Sequence, residues 1–370
     1  MLYKTLLRPI LFLKDAEDTH DQTLTLLSHL GVLEGVLARL FVVGDERLQV
    51  RLGPLAFANP VGLAAGFDKN GRAINIWRGF GFGFAEIGAV TAHAQPGNPK
   101  PRLFRLSKDE ALINRLGFNN DGADAVAARL EAAQSDGAGP ALPLGINIGR
   151  SRIVETKDAA ADYLYTFAKL FPLGDFFTLN VSSPNTPNLR DLQERDRLAR
   201  LLGAIQERNR ELAHRYKSGE KPVLVKIDPD MELAQLDGVI EVAQAQRVAG
   251  IIATNASAFL REKLLSRTDE PGGLSGKPLK TRATSFIRHI YQSTQGRLPI
   301  IGVGGIFTAE DAYEKIRAGA SAVQILTGFI YEGPGAVKRI NVGLLRLIDR
   351  DGFKNISEAI GCDVTTPPTH

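Results

Sequence analysis

Short apolar runs alternate with amphipathic segments along most of the chain, and this alternation predicts its fold. The segments between the runs place apolar residues three and four positions apart, as at Leu198, Leu201, Leu202 and Ile205, and this spacing lines one face of a helix. Eight strand–helix units over about 280 residues predict an α/β fold of the (β/α)8 TIM barrel type. The eight apolar runs are Val61–Ala65, Phe84–Ile87, Leu144–Ile148, Phe176–Val181, Val223–Ile227, Gly250–Ala253, Ile300–Val303 and Ala322–Ile325.

Two further segments precede the predicted barrel. Residues 46–57 alternate around Gly53-Pro54, which predicts a β-hairpin closing the barrel bottom. Residues 1–45 are apolar but interrupted by charges, and no uncharged run reaches the roughly 18 residues of a membrane span. They predict an N-terminal helical extension, either a cap on the core or an anchor at a membrane surface. A barrel domain over residues 46–370 follows it.

Composition narrows the possible functions. With 370 residues, of which 44% are hydrophobic, the chain can bury one large core. The net charge of +4 is small for this length, and without a basic run it argues against nucleic-acid binding. Cys362 is the single cysteine, which excludes an internal disulfide and a cysteine-ligated zinc cluster, and no metal site is expected.

Polar residues follow the predicted strands, where a barrel of this kind has its active site. Lys69 follows the first strand and Lys226 lies at the end of the fifth. Asn147 and Asn180 lie at the ends of the third and fourth strands, and Asn255 follows the sixth. Bringing these polar and charged groups together at one rim costs free energy through their loss of hydration. An anionic, hydrogen-bonding ligand bound there would offset that cost.

Ser183 follows the fourth strand within the polar segment Asn180–Thr186. It is a candidate base or nucleophile, but no histidine lies between His93 and His214 to activate it. A polar turn after a strand is the alternative interpretation of this segment.

Glycines after the seventh and eighth strands predict a phosphate site. Gly302–Ile306 precedes a helix from Ala309 with Thr308 as its N-cap, and Thr327-Gly328 follows strand eight. Backbone N–H groups in these two loops commonly hold a phosphate in this fold. No dinucleotide motif follows the first strand, so the expected ligand is a mononucleotide cofactor.

Several of these segments together resemble the dihydroorotate dehydrogenase family. The resemblance extends from about Gly53 to Gly361, and within the family the chain is similar to the membrane-associated class 2 enzymes. Those enzymes use serine as the base, carry an N-terminal helical extension and pass electrons from FMN to a quinone. The position of Cys362, beyond the barrel, argues against the cysteine-based class that uses a soluble acceptor. The matching segments are Ala64–Lys69, Gly97–Arg102, Asn114–Asn120, Asn180–Thr186, Gly272–Pro278 and Ile300–Ile306.

The resemblance implies that dihydroorotate stacks on FMN at the barrel rim and is oxidised to orotate. Ser183 is then the catalytic base that removes the C5 proton while C6 delivers a hydride to the flavin, and Thr186 with a water passes the proton on. Lys69 and Lys226 stabilise the developing anion. The residues implied for substrate binding are Lys69, Asn114, Arg115, Leu116, Gly117, Phe118, Asn180, Asn185, Asn255 and Ala256. Those implied for FMN binding are Ala65, Gly66, Phe67, Asp68, Lys69, Ala89, Asn147, Asn180, Lys226, Thr254, Gly276, Gly304, Gly305, Leu326 and Thr327.

The same resemblance implies a quinone side. His20 and Arg105 match positions that line a tunnel between the N-terminal helices and the flavin edge, and the quinone is ubiquinone, menaquinone or plastoquinone. The N-terminal helices then contact a membrane surface. An N-terminus without a transit-peptide pattern favours the cytoplasmic face of a bacterial inner membrane over the mitochondrial inner membrane.

Three positions depart from the family pattern and leave alternatives open. Ala89 stands where a serine or threonine is usual, Ala256 where a threonine is usual and Leu326 where a tyrosine is usual. Ala256 favours an FMN-dependent oxidoreductase of a related dihydropyrimidine, which the asparagines oppose. A catalytically inactive, membrane-associated flavin-binding protein is the other alternative, and retention of Ser183 and the two lysines opposes it.

Overall fold

The computed structural model describes residues 2–135, 139, 141–262 and 264–364. The strands within these ranges are β1 (Val50–Leu52), β2 (Leu55–Phe57), β3 (Val61–Leu63), β4 (Phe84–Val90), β5 (Leu103–Leu106), β6 (Ala111–Asn114), β7 (Leu144–Ile148), β8 (Phe176–Asn180), β9 (Val223–Lys226), β10 (Gly250–Ala253), β11 (Gly273–Gly276), β12 (Ile300–Val303) and β13 (Ala322–Ile325). The α-helices are α1 (Arg8–Phe12), α2 (Ala16–His29), α3 (Glu34–Phe41), α4 (Gly122–Ser135), α5 (Ala159–Leu170), α6 (Arg195–Tyr216), α7 (Leu233–Ala245), α8 (Lys280–Thr294), α9 (Ala309–Arg317), α10 (Thr327–Glu332) and α11 (Ala336–Asp351). A π-helical segment spans Tyr3–Leu7, and 3₁₀ segments span Gly31–Leu33, Glu46–Leu48, Arg78–Phe80, Ser107–Asp109, Thr156–Asp158, Arg190–Gln193, Lys277–Leu279 and Ile356–Ala359.

Eight parallel strands close into a barrel in the order β3, β4, β7, β8, β9, β10, β12 and β13, and β13 pairs again with β3. These strands are buried almost throughout, because helices cover the outside of the barrel and side chains fill the inside. The predicted barrel is confirmed, and four of its eight strands have the predicted bounds. The largest difference is β4, which continues to Val90.

The predicted hairpin closes the N-terminal end of the barrel. Strands β1 and β2 pair antiparallel across Gly53, whose φ of +58° suits glycine at this tight turn. The Phe57 ring stacks on Phe84 with centroids 4.2 Å apart and lies 6.3 Å from Phe176. Since Phe84 and Phe176 begin β4 and β8, the hairpin leaves only the opposite end of the barrel open.

A three-stranded antiparallel sheet at that open end was not predicted. Its order is β11, β6, β5, and Asn114 is the register partner of both Leu103 and Gly273. The sheet belongs to the long connections after β4 and β10, and it brings Asn114 over the barrel mouth.

The N-terminal extension is helical and docks beside the barrel mouth. Asp15 caps α2, since its Oδ1 accepts hydrogen bonds from the N–H groups of Glu17 and Asp18. The Arg102 Nη2 atom lies 2.7 Å from Glu17 Oε1 in a buried ion pair that ties α2 to the barrel. Within the described ranges, no single helix is long and apolar enough to cross a membrane. The segments Ala16–His29 and Gly31–Phe41 meet that criterion only together, across a 63° bend.

Candidate active site

A cavity lies at the carboxyl ends of the barrel strands, bounded by the barrel, the β5–β6–β11 sheet and helix α2. It gathers most of the side chains that the sequence singled out from segments far apart in the chain. The predicted residues that line it are His20, Ala65, Gly66, Phe67, Lys69, Ala89, Asn114, Leu116, Gly117, Phe118, Asn180, Ser183, Asn185, Lys226, Thr254, Asn255, Ala256, Gly276, Gly304, Gly305, Leu326 and Thr327.

Three predicted residues lie behind the cavity wall instead. Asp68 is fully buried and accepts hydrogen bonds from the N–H groups of Arg72 and Ala73 at 2.7 and 2.9 Å, so it organises the loop after β3. Asn147 is fully buried within the barrel, and Thr186 is 5% exposed. Direct ligand contact by these three side chains stays a prediction.

Two predicted arginines bind other parts of the chain. Arg115 donates to Glu270 Oε2 at 2.6 Å and lines a neighbouring depression that shares Pro184 and Asn185 with the cavity. Arg105 donates to the Lys14 carbonyl at 2.6 Å, and its guanidinium lies 4.6 Å from the centroid of the Phe12 ring. It therefore fastens the end of α1 to β5.

Ser183 is presented to the cavity by the loop after β8. It is 6% exposed, and its Oγ accepts a hydrogen bond from the Asn185 N–H at 3.3 Å. No ionisable side chain is hydrogen-bonded to it in the part of the chain that the structure describes. Charged side chains that line the same cavity contribute the electrostatic field around Ser183.

Two lysines supply positive charge to that field. Burial lowers the pKa of Lys69 and of Lys226, while Asp21 and Glu17 oppose the shift for Lys69 and Glu86 opposes it for Lys226. Neither ammonium makes a hydrogen bond or an ion pair with any residue in the described ranges. Both are therefore available to a bound anion.

Asparagine side chains in the site form two hydrogen-bonded groups. Asn185 Nδ2 donates to Asn114 Oδ1 at 3.1 Å, and Asn114 Nδ2 donates to the Gly273 carbonyl at 3.3 Å. Asn255 Nδ2 donates to Asn180 Oδ1 at 3.2 Å. Amides that hold one another in this way are fixed before a ligand arrives, which suits recognition of a ring with alternating donors and acceptors.

The residues of the predicted phosphate end come together at the cavity, and phosphate binding there stays a prediction. Gly304, Gly305, Thr327 and Gly328 line the same cavity. Thr308 caps α9, with its Oγ1 accepting from the Asp311 N–H at 3.2 Å, as the sequence predicts.

His20 reaches the cavity from α2. Its ring meets Phe67 edge-on with centroids 5.1 Å apart. Burial, together with the positive charge of Lys69, lowers its pKa to about 3, so the imidazole is neutral at physiological pH.

The ends of the strands alone did not reveal several cavity residues. Gln324 lies on β13, one residue before the strand ends, and its alternation with Val323 is the signal that places it inside the barrel. Ser275 shares a 2.8 Å hydrogen bond with Thr327. Leu103, Leu112 and Ser275 belong to the sheet that the sequence did not predict, so no signal placed them at the mouth.

Comparisons with known proteins agree with this geometry. The family model for dihydroorotate dehydrogenase matches residues 47–348. The protein named dihydroorotate dehydrogenase (quinone) of Gloeobacter violaceus is 51% identical over 98% of this chain and 99% of its own length, and that of Acaryochloris marina is 48% identical over 97% and 99%. The crystal structure of DHODH from Eimeria tenella in complex with ferulenol has a TM-score of 0.87 at 38% identity, covering 94% of this chain and 96% of that one. The chain belongs to the dihydroorotate dehydrogenase family, and within it to the quinone-dependent class 2.

Proposed function

We propose that this flavin-dependent oxidoreductase oxidises (S)-dihydroorotate to orotate in pyrimidine biosynthesis, with FMN as its flavin and a membrane quinone as the final electron acceptor. Family membership and the quinone named for its relatives support the reaction. The single observation that supports the site is one cavity lined by Ser183, two lysines and four asparagines.

The cavity fits a flavin mononucleotide. Gln324 Oε1 is buried and has no hydrogen-bond partner among the described residues, so it offers an acceptor to a ring N–H, while Lys226 offers donors. At the other end, a Cβ on Gly305 would lie 2.6 Å from Lys280 Cα. Glycine is needed there, and it leaves the backbone N–H groups open to a phosphate. When bound, FMN accepts the hydride that leaves C6 of the substrate.

Residues of the chain itself transfer the proton, stabilise charge and orient the substrate in this proposal. Ser183 Oγ takes the C5 proton as its own hydroxyl proton passes on through a water, and the Asn185 N–H that points at this oxygen stabilises the negative charge that develops on it during the transfer. Lys69 places its ammonium near the anionic substrate. Asn114, Asn180 and Asn255 orient the pyrimidine ring and its carboxylate. Thr186, buried in the same loop as Ser183, is proposed as the next proton carrier.

The quinone enters beside the N-terminal helices in this proposal. His20 extends from α2 into the cavity as a neutral ring, and Arg105 fixes the end of α1. Leu2, Leu13 and Val32 are 68, 88 and 91% exposed. Several large apolar side chains exposed in one part of a protein are typical of a surface that binds a membrane or another protein. This exposed apolar surface supports docking of residues 1–45 on a membrane, with the cytoplasmic face of a bacterial inner membrane as the proposed location.

Anaerobic flavin bleaching tests the proposal. Dihydroorotate is expected to bleach the purified yellow protein, and a ubiquinone analogue, but not fumarate, is expected to restore the colour. A flavin that stays oxidised with dihydroorotate would contradict the substrate. Dihydrouracil, added separately, tests the alternative of a related dihydropyrimidine, which faster bleaching than with dihydroorotate would favour.

A further inference from the structure

Glu86 is a fully buried carboxylate inside the barrel, on β4. Its Oε1 accepts from Asn147 Nδ2 at 2.7 Å and its Oε2 accepts from Gln324 Nε2 at 2.6 Å. It raises the pKa of Lys226 against the effect of burial. Among the described residues it has no direct ion-pair partner. A charge buried in this way is costly unless the groups around it are arranged to accept it.

Both oxygens of the Glu86 carboxylate act as acceptors, so each neighbouring amide must turn its nitrogen toward them. Asn147 must turn its Nδ2 to Glu86, so its Oδ1 faces outward and accepts from Asn180 Nδ2 at 3.0 Å. Asn180 Oδ1 is then left to accept from Asn255 Nδ2 at 3.2 Å. The orientation of Asn147 and Asn180 therefore follows from one carboxylate, although Asn147 itself does not line the cavity. Asn255 is held in the matching orientation by the Ala256 N–H, which donates to its Oδ1 at 2.8 Å.

The orientation decides what the site offers to a ligand. Asn180 and Asn255 line the cavity. The oxygen of Asn180 accepts from Asn255 and one of its two N–H groups donates to Asn147, so the second N–H remains for the ligand. Gln324 is turned by the same carboxylate, which leaves its Oε1 as a buried acceptor without a partner among the described residues. With the amides reversed, the ligand would meet an acceptor where a donor is needed.

We propose that Glu86 is a positioning residue that fixes the donor and acceptor pattern of the pyrimidine and flavin site through Asn147. This inference rests on the proposed function, because orotate is the ligand that reports on the pattern. The Glu86→Gln substitution keeps the shape and supplies an amide that can either donate or accept, so it releases the orientation of Asn147. The matched control is Glu241→Gln, the same change at a half-exposed carboxylate that pairs with Arg195 on the outside of the barrel.

The Kd of orotate, titrated by the change in the visible flavin spectrum, is the measurement. Glu86→Gln is expected to weaken orotate binding roughly 10- to 100-fold, since a misdirected amide leaves buried polar groups unpaired, while Glu241→Gln stays within about twofold of the wild type. The FMN content and the midpoint of thermal unfolding of each variant show whether the protein has folded.

A double-mutant cycle separates positioning from a simple charge effect. If Glu86 acts through Asn147, the double variant should bind orotate less than about threefold more weakly than Asn147→Leu alone. The proposal would be overturned if the effects of the two substitutions on the orotate Kd multiplied in the double variant. It would also be overturned if Glu86→Gln bound orotate with the wild-type Kd. If Glu86→Gln does not fold, Asn147→Leu alone decides, because unchanged orotate binding there is incompatible with the relay. A wild-type protein that dihydroorotate fails to bleach would instead contradict the proposed function.

Discussion

In the proposed reaction, Ser183 is the residue whose hydroxyl must act as a base without help from a histidine. Ser183→Ala is expected to slow the reduction of the flavin by dihydroorotate roughly 10²- to 10⁴-fold, the usual contribution of a general base. Binding of orotate should change little, because the amides that orient it remain in place. Stopped-flow absorbance of the flavin under anaerobic conditions measures the rate, and a spectral titration with orotate measures the affinity.

The neighbouring serine is the control for that experiment. Ser182 Oγ accepts from Asn255 Nδ2 at 3.0 Å, so Ser182→Ala should weaken orotate binding more than it slows the chemistry. Equal rates in Ser183→Ala and the wild type would remove Ser183 from the proton transfer.

Sequence reasoning placed residues at the cavity most reliably where a strand end fixes their position, while their roles stay predictions. Lys226 ends β9, and Asn255 and Ser183 lie two and three residues after β10 and β8. Strand ends of a parallel barrel meet at one rim whatever the loops do. The motif around Arg115 predicts that it binds the substrate. In the structure its side chain pairs with Glu270, and no local sequence pattern predicts that contact. Gln324 was missed because it sits inside a strand that the sequence marked only as apolar.

At the scale of elements, α2 is held to the barrel by a buried ion pair that can be tested. Arg102 also donates to the carbonyls of Pro96 and Asn98, both at 2.6 Å. Arg102→Ala leaves the buried Glu17 with only Lys100, whose Nζ lies 3.8 Å from Glu17 Oε1, so the cost should approach but not exceed the roughly 3–5 kcal/mol typical of breaking a buried pair. We expect the cost to appear as local release of the N-terminal helices, seen as faster proteolysis within residues 2–41 and slower quinone reduction.

The matched control for this substitution is an exposed pair between the same two parts of the molecule. Arg78 Nη1 lies 2.8 Å from Glu34 Oε1, and the Arg78 side chain is 47% exposed. Arg78→Ala should therefore cost no more than about 1 kcal/mol. Reduction of the flavin by dihydroorotate should be nearly normal in both variants, and equal proteolysis of the two would refute the anchoring role of Arg102.

A buried lysine between α9 and α8 gives the fold a pH dependence. Lys315 is fully buried and donates to Thr284 Oγ1 at 3.0 Å and to the Lys280 carbonyl at 3.2 Å. Burial lowers its pKa to about 7, whereas an unfolded lysine titrates near 10.4. Between these values the unfolded chain binds more protons, so this group makes stability rise with pH, by up to about 1.4 kcal/mol per unit.

Lys315→Met should remove that rise. The free energy of unfolding in urea, measured from pH 6 to pH 9, is expected to climb more steeply for the wild type than for the variant. The exposed Lys157, paired with Glu155, provides the control, and Lys157→Met should keep the wild-type slope. Parallel curves for the wild type and Lys315→Met would contradict the assignment.

At the scale of the whole molecule, the barrel and its bottom hairpin could be predicted because they depend on local periodicity. Eight apolar runs separated by helices leave few alternatives to a closed parallel barrel. The β5–β6–β11 sheet depends on a pairing between Asn114 and Gly273, which are 159 residues apart in the chain. Strand Gly273–Gly276 is rich in glycine and carries little strand signal of its own, so only the assembled molecule reveals it.

The exposed leucines of the N-terminal helices are the feature of the whole molecule that bears on membrane binding. Leu6, Ile10 and Leu13 are 57, 59 and 88% exposed. Burying such a side chain fully contributes about 1.5–3 kcal/mol. The double substitution Ile10→Glu with Leu13→Glu, which also places charge at the interface, should thus lower partitioning onto phospholipid vesicles at least tenfold, as measured by flotation.

Leu233 is the control, because it is 48% exposed at the start of α7 on the outside of the barrel. Leu233→Glu should bind vesicles like the wild type. Both proteins should reduce a water-soluble quinone analogue at similar rates, since neither substitution lies in the cavity. If the N-terminal double variant still floats with vesicles, another surface of the protein holds it to the membrane, and the proposed role of residues 1–45 is wrong.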